Sequence, residues 1–401
     1  MNYYATATAV KSVSRPGFMS RIITLGILLC SLAWLTACNS DDNITFPTPP
    51  PQEPMNWLFD ITGTAGDDIW ACGNTGAMFH FDGSQWQYKD MGTDKPIVKM
   101  YQADDGTIYA CGHGGGIWRE SNGSWSAMDS GTDKDLYGIG SYLGNIHACG
   151  RDGVLRRLAG NTWSDVPRNV MILRDEQGAP QDTLYQKEDV VALLTVNYFA
   201  IGGAYLNPGY DGPYIGILGT RGMILAEDNE YDWILRPLGG DELYKEEWVI
   251  SSFSDPEVPR NNYFGTSEGW LYRLNDDNSW VLNLPKVTND PHGGIRGIWL
   301  DAQKNAYLAT DEGQLVFQTE DYDFIAGTGS RTTLVDLPVP FTAIWGTDPG
   351  NLYLVGLFEN KIIHASHDQA TGDFTWEEIP VTFPAKSGGG VFVDPLGRSL
   401  P

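Results

Sequence analysis

Apolar and polar residues alternate along most of this chain in short runs, each closed by glycine, asparagine or aspartate. A period of two, rich in β-branched and aromatic residues, predicts strands with one face turned to a core. Between Val98 and Met128 four such runs follow one another: Val98–Ala103, Thr107–Cys111, Gly116–Glu120 and Trp125–Met128. No segment beyond the N-terminal leader carries a helical stripe, so the expected class is all-β.

The same order of runs recurs. D-I-W-A-C-G-N-T-G-A-M-F starts at Asp68, T-I-Y-A-C-G-H-G-G-G-I-W at Thr107 and N-I-H-A-C-G-R-D-G-V-L at Asn145. Cys72, Cys111 and Cys149 are spaced by 39 and 38 residues, and the downstream Trp86, Trp125 and Trp163 step by the same amounts. A four-strand unit repeated at this period predicts a β-propeller, in which radially packed sheets bury both faces. Degenerate units follow around Gly219–Trp233, Gly265–Trp280, Ala306–Phe324 and Leu352–Trp376, giving seven. The step of 69 residues from Gly150 to Gly219 is too short for two units, which places an insertion within about residues 168–213. Seven blades is therefore the expectation. An eighth stays open, because Trp57–Ile61 and Gly390–Asp394 both read as a first strand.

The first residues lie outside this scheme. Arg21 precedes an apolar run of 13 residues, Ile22–Trp34, shorter than the roughly 20 that span a bilayer, so it reads as a signal segment. Leu35-Thr36-Ala37-Cys38 resembles a bacterial lipobox, which implies a leader over residues 1–37, cleavage before Cys38 and a lipid such as palmitate there. Translation from Met19 would give a more typical leader than translation from Met1. Asn39-Ser40, without aspartate at the second position, implies by the same resemblance sorting to the outer membrane. Ser40-Asp41-Asp42 is similar to the acidic surface-export signals of some bacterial lineages. Residues 38–54, with Pro47, Pro49, Pro50, Pro51 and Pro54, form a stiff tether. The propeller domain is expected over residues 55–401.

Charge narrows the partners. The chain holds 26 Lys and Arg against 51 Asp and Glu, a net −25. Loss of Lys11, Arg15 and Arg21 with the leader takes this to −28. Such a surface repels nucleic acid. Membrane contact is expected through the lipid on Cys38 alone.

The repeats themselves resemble those of bacterial exported propeller lipoproteins and of photosystem II assembly-factor propellers, and more distantly bacterial neuraminidase repeats. The likeness covers about residues 55–380. It implies fold and leaves the activity open. Asp82-Gly83-Ser84-Gln85-Trp86 lacks a residue of the neuraminidase Asp-box, and no sialidase arginine triad or nucleophile pair is evident.

Candidate chemistry is sparse. Cys72, Cys111 and Cys149 share one repeat position with Leu218, Phe264 and Val355, so they read as core residues. His147 shares the slot of Trp70 and Tyr109 and reads as packing. His364 and His367 point to opposite faces of a strand. Acidic pairs such as Asp67-Asp68, Asp104-Asp105 and Asp276-Asp277 read as turn formers without calcium-loop spacing. Neither a cofactor nor a metal is expected. In a four-stranded blade the loops joining fourth to first strands share one face of the disc with the second-to-third turns. His113, taken as an exposed turn residue, and Arg151 and Arg221 fall there. Tyr205, Tyr210, Asp211 and Tyr214 join them if the insertion follows a second strand. These seven are the candidate binding residues. The function expected is a non-catalytic binding or scaffold propeller at the outer membrane, docking an envelope protein or polysaccharide. The alternatives are a secreted glycan hydrolase or lyase with acids at the disc centre, and an assembly factor for a membrane complex.

Overall fold

The computed structural model describes residues 56–384, except 122, 143–144, 167–169, 175–179, 186–197, 206–212, 220–221, 227–231, 237–248, 254–262, 275–279, 283–286, 288–292, 325 and 358–359. Cys38, the leader, the tether, Tyr210, Asp211, Arg221, Asp276-Asp277 and the Gly390–Asp394 strand lie outside these residues.

The described residues are all-β, with 3-10 turns as the only helical geometry. The first blade is β1 (Leu58–Ala65), β2 (Asp68–Gly73), β3 (Met78–Phe81) and β4 (Trp86–Tyr88). The second is β5 (Ile97–Gln102), β6 (Ile108–Gly112), β7 (Ile117–Ser121) and β8 (Ser124–Met128), each within a residue or so of the alternation read from sequence. The third is β9 (Leu136–Tyr142), β10 (Asn145–Gly150), β11 (Leu155–Ala159) and β12 (Thr162–Asp165). Each is an antiparallel meander in chain order.

The next sheet departs from the pattern. It holds six strands: β13 (Val170–Arg174), β14 (Pro180–Tyr185), β15 (Tyr198–Tyr205), β16 (Pro213–Gly219), β17 (Gly222–Ala226) and β18 (Asp232–Arg236). Strands β15 to β18 form a meander, and β13 adds to its outer edge parallel to β18, carrying β14 beyond it. Four-stranded blades resume with β19 (Val249–Phe253), β20 (Tyr263–Thr266), β21 (Leu271–Leu274) and β22 (Trp280–Leu282). Two further meanders are the fifth and sixth four-stranded blades. These are β23 (Ile295–Leu300), β24 (Ala306–Thr310), β25 (Gln314–Gln318) and β26 (Arg331–Asp336), then β27 (Phe341–Asp348), β28 (Asn351–Gly356), β29 (Lys361–Asp368) and β30 (Asp373–Pro380). The described sheets are thus six four-stranded blades, where seven blades were expected, plus the six-stranded sheet. Repeat counting sees only the recurring glycine and tryptophan positions, so it placed extra residues before the fourth unit without showing that they add two strands to a sheet edge.

Inner strands β1, β5, β9, β15, β19, β23 and β27 touch in succession, and β27 returns to β1. Among the described residues each end blade is built from one continuous chain segment, and the two share no strand. Thr342 donates through Oγ1 to the carbonyl of Leu58 at 2.9 Å, and the Asn56 amide donates to Asn360 Oδ1 at 2.9 Å. Val381 and Phe383 join the apolar cluster of the first blade, with the Phe383 ring 5.0 Å from Phe79.

Strand register aligns the blades residue by residue. Cys72, Cys111 and Cys149 pair with Asp60, Lys99 and Gly138 on the inner strands. All three cysteines are fully buried free thiols, as their core slot implies. Burial holds all three thiols above the ordinary range. In the β19–β22 blade the same slot is Gly265, facing Ser251, and not its neighbour Phe264. The facing inner position is Ala200, Ser251, Gly297 or Ala343 in the other sheets. Asp60 and Lys99 are therefore a charged exception, with Lys99 Nζ 2.9 Å from Asp60 Oδ1 and Met100 N–H donating to Asp60 Oδ2 at 2.7 Å. They join the first two inner strands.

In the six four-stranded blades an aromatic or imidazole ring stands two residues before the cysteine slot: Trp70, Tyr109, His147, Tyr263, Tyr307 and Tyr353. The outer part of the following blade packs on it. Trp125 meets Trp70 edge-on at 5.4 Å, Trp86 meets Tyr353 at 6.4 Å, and Phe324 meets Tyr263 at 6.4 Å. Trp163 shares a buried cluster with Tyr109. The repeating tryptophan is a blade-to-blade contact, and Tyr322 and Phe324 replace it where it is missing.

Trp163 is 4% exposed, so Trp163→Ala should cost about 3–5 kcal/mol, read as a lower midpoint in urea unfolding. His147 is 2% exposed, and burial pushes its imidazole down to about 4. The folded value lies below the unfolded one of about 6.5, so protonation favours unfolding. Its contribution is complete above pH 6.5 and is lost as pH falls toward 4, by about 3 kcal/mol. His147→Tyr, matching Tyr109 in the same slot, should shrink the loss of unfolding free energy between pH 7 and pH 4 by that amount.

Candidate functional site

The second-to-third-strand turns of the first three blades are single 3-10 turns, Asn74–Gly76, His113–Gly115 and Arg151–Gly153. Their middle residues, Thr75, Gly114 and Asp152, have positive φ of 53°, 62° and 54°. The third position has little freedom: a Cβ on Gly115 would lie 1.9 Å from the carbonyl oxygen of Thr132 in the adjoining loop. The glycine before the turn allows equally close approach on the other side. Asn74, His113 and Arg151 each donate a backbone N–H to the carbonyl just before an inner strand, that of Trp57, Pro96 or Asp135, at 3.0, 3.0 and 2.8 Å. Turn and loop are thus locked together on one face, as the propeller geometry implies, and the first side chain of each turn is delivered to equivalent places.

Asn74 uses its position structurally, accepting the N–H of Trp57 at 3.0 Å. The next two turns converge. Arg151 Nη2 lies 2.9 Å from Asp135 Oδ2, and Arg151 Nε donates to Tyr137 Oη at 3.0 Å. Asp135 Oδ1 accepts the N–H of Gly114 at 2.8 Å, tying the second blade to the third. His113 sets its ring edge-on to Tyr137 at 6.3 Å. It is half-buried, not the exposed turn residue expected. Burial lowers its imidazole below the ordinary value and raises the Tyr137 phenol. Lys134 and Asp152 flank the cluster as an exposed pair at 2.6 Å, and the Lys95 side chain lies over Gly114.

The same slots recur on the β23–β26 blade with other chemistry. Asp311, first residue of its turn, accepts the N–H of Gly294 and faces Arg296 Nε at 3.1 Å. Arg296 occupies the inner-strand bulge that Tyr137 occupies on β9. Asp135, Tyr137 and Arg296 escaped the sequence reading because their roles depend on turns that meet them only in the folded sheet. The repeat offered a signal for Arg296, the charged member of a bulge slot that holds Phe59, Val98, Tyr137, Ile250 and Thr342 elsewhere.

The remaining candidates divide. Tyr205 ends β15 and Tyr214 stands near the start of β16, so both lie at the end of the sheet where the first strand passes to the second. That end is opposite the one that bears His113 and Arg151 in their blades. The insertion precedes the first strand of its meander, so the condition for a shared face is not met.

On the other face, Tyr307 Oη and His367 Nδ1 are 2.8 Å apart, and Gln369 donates to Tyr307 Oη at 2.9 Å and to Asp301 Oδ2 at 2.6 Å. His364 points away from His367, stacking on Tyr353 at 4.6 Å. Asp82 and Asp105 accept backbone N–H groups two residues on, as turn formers do. No group of three or more His, Cys, Asp or Glu suited to a metal ion occurs among the described residues. On the candidate face Asp135, Asp152 and Asp311 each have a cation within hydrogen-bond distance. The arrangement offers guanidinium, phenol, imidazole and carboxylate groups for polar recognition.

No family model matches the chain, and no curated protein matches it. Solved structures do. The extracellular domain of the putative hybrid two component system BT4673 from B. thetaiotaomicron is similar with a TM-score of 0.55 at 15% identity, over 79% of this chain. The match spans only 38% of that longer neighbour. Streptogramin B lyase is similar with a TM-score of 0.54 at 14% identity, over 78% of this chain and 93% of its own. YCF48 bound to a D1 peptide, a photosystem II assembly-factor-like propeller, gives 0.51 at 13% identity over 79% and 94%. At these identities the likeness shows the β-propeller fold.

Proposed function

We propose that this chain is an extracytoplasmic, non-catalytic binding propeller that docks an envelope protein or polysaccharide through the face bearing His113, Asp135, Tyr137 and Arg151. The observation that carries the reading is the locking of these four side chains by contacts from two blades. Groups fixed by packing lose little entropy when they engage a partner, and rigid aromatic and arginine side chains are frequent anchors of interfaces. The half-exposed Arg151, at 49%, presents a guanidinium that its partners already orient. Neighbours of similar fold support the class: one is an extracellular domain, another is bound to a peptide. The lipobox-like Leu35–Cys38 supports anchoring at the outer membrane through lipid on Cys38, with residues 38–54 setting the reach.

The test is affinity capture of the tagged full chain from its own envelope in mild detergent, with mass spectrometry of bound protein and composition analysis of bound polysaccharide. A stoichiometric partner should be lost in Arg151→Ala and kept when residues 206–212 are replaced by a short glycine linker. A preparation without partner, or capture indifferent to Arg151, overturns the reading. Cys38→Ser should abolish incorporation of labelled palmitate and release the protein from the membrane fraction.

A further inference from the structure

We infer that a polar cavity on the third blade binds the carboxylate of an acidic sugar, with Arg156 as the recognising group. This deepens the binding-platform reading, because the cavity opens beside the face described above.

The first observation is a misfit in the repeat. Strand register puts Arg156 opposite Ala148, and the residues in that slot elsewhere are Phe79, Trp118, Ile224, Tyr272, Val316 and Ile363. A buried guanidinium stands where every other sheet has an apolar side chain. The loop above it has changed in step. In M-G-T-D-K from Met91 and S-G-T-D-K from Ser130, Met91 packs in one apolar cluster with Trp118. Ser130 and Arg156 take their places on the third blade.

The result is a cavity of about 580 Å³, within the range of about 300–1,000 Å³ usual for small-molecule sites. Thr132, Asp133, Lys134, Asp165 and Arg156 line it, with Val154 as its apolar side chain. Gly131 gives the guanidinium room, since a Cβ there would come within 2.4 Å of Arg156 Nη2.

Arg156 is 9% exposed and incompletely used. Nη1 meets Asp165 Oδ1 at 2.5 Å, Nη2 donates to the carbonyl of Trp163 at 3.2 Å, and Nε is buried without an acceptor. A buried ion contributes less to stability than a well-packed apolar residue in the same place, so stability does not explain Arg156. Recognition does, because a guanidinium binds carboxylates through paired hydrogen bonds. Its present counter-ion is easily displaced: the Asp165 side chain is 73% exposed, and exposed ion-pair partners add little. A ligand carboxylate would take the place of Asp165 on Arg156, with Lys134 as a second cation at the rim. The freed Asp165 and Asp133 would accept hydrogen bonds from sugar hydroxyls. An acidic peptide carries no ring of hydroxyl donors beside its carboxylate to engage these two aspartates.

Calorimetric titration of the full chain with oligogalacturonate and oligoglucuronate, neutral galactose oligomers and a poly-glutamate peptide tests this. Uronate oligomers should bind and neutral ones should not. Arg156→Met should weaken uronate binding at least tenfold with an unchanged or higher melting temperature. Asp165→Asn, which removes the competing carboxylate, should tighten it severalfold. Lys134→Gln, a surface change, should weaken it and flatten its salt dependence. Absence of uronate binding, equal binding by Arg156→Met, or weaker binding by Asp165→Asn overturns the proposal. Binding of the peptide alone also overturns it and reassigns the cavity to acidic protein segments. A partner captured in an Arg151-dependent way by a chain that binds no uronate leaves the platform reading standing.

Discussion

The ring depends on contact between the outer part of one blade and an aromatic residue in the preceding blade. Trp125 on Trp70, Trp86 on Tyr353 and Phe324 on Tyr263 repeat the same contact at different points of the circle. A four-stranded sheet has two apolar faces and cannot bury either alone. Each ring therefore serves two blades, and removing one exposes both. Closure relies on the same kind of packing. The first and last blades share a core including Leu58, Tyr353 and Phe383, and a few hydrogen bonds around Asn56 and Asn360 fix its edge.

Once blades are fixed radially, the glycine-rich turns have little choice of position. The glycine before each turn lets a loop carbonyl approach closely, and the third-position glycine does so from the other side. Turns of one blade are thereby pressed between the loop leading into its own inner strand and the loop leading into the next blade. Asp135 extends the contact to the preceding turn by accepting the N–H of Gly114. The face gains a fixed arrangement of polar groups without any dedicated domain or insertion. The enlarged sheet places its extra strands on the outer edge, beside β18, away from the inner ring.

Exceptions to the repeat carry most of the information about function. Asp60 and Lys99 occupy a slot that is otherwise small, Arg296 a bulge position that is otherwise uncharged among its described equivalents, and Arg156 a slot that is otherwise apolar. Core slots tolerate apolar exchange readily, whereas a charge there requires compensation from elsewhere in the fold. Asp60–Lys99 find it in each other across two inner strands. Arg156 has only an exposed carboxylate and a carbonyl, which is why a ligand is the better account of it.

The sequence alone determined the strand period, the 38- to 39-residue repeat and hence the propeller class, because alternation and turn chemistry are local. It also placed Cys72, Cys111, Cys149 and His147 in the core, since equivalent repeat positions share an environment. Only the tertiary structure decided the rest. The count of regular blades depended on where β13 and β14 joined a sheet edge, a non-local pairing with no periodic signal. The split of Tyr205 and Tyr214 from His113 and Arg151 followed from chain direction through the six-stranded sheet. The meeting of Asp135, Tyr137, His113 and Arg151 needed loops from adjoining blades to close on one another. Such contacts are set by radial packing, and their partners are too far apart along the chain for local pattern to reveal.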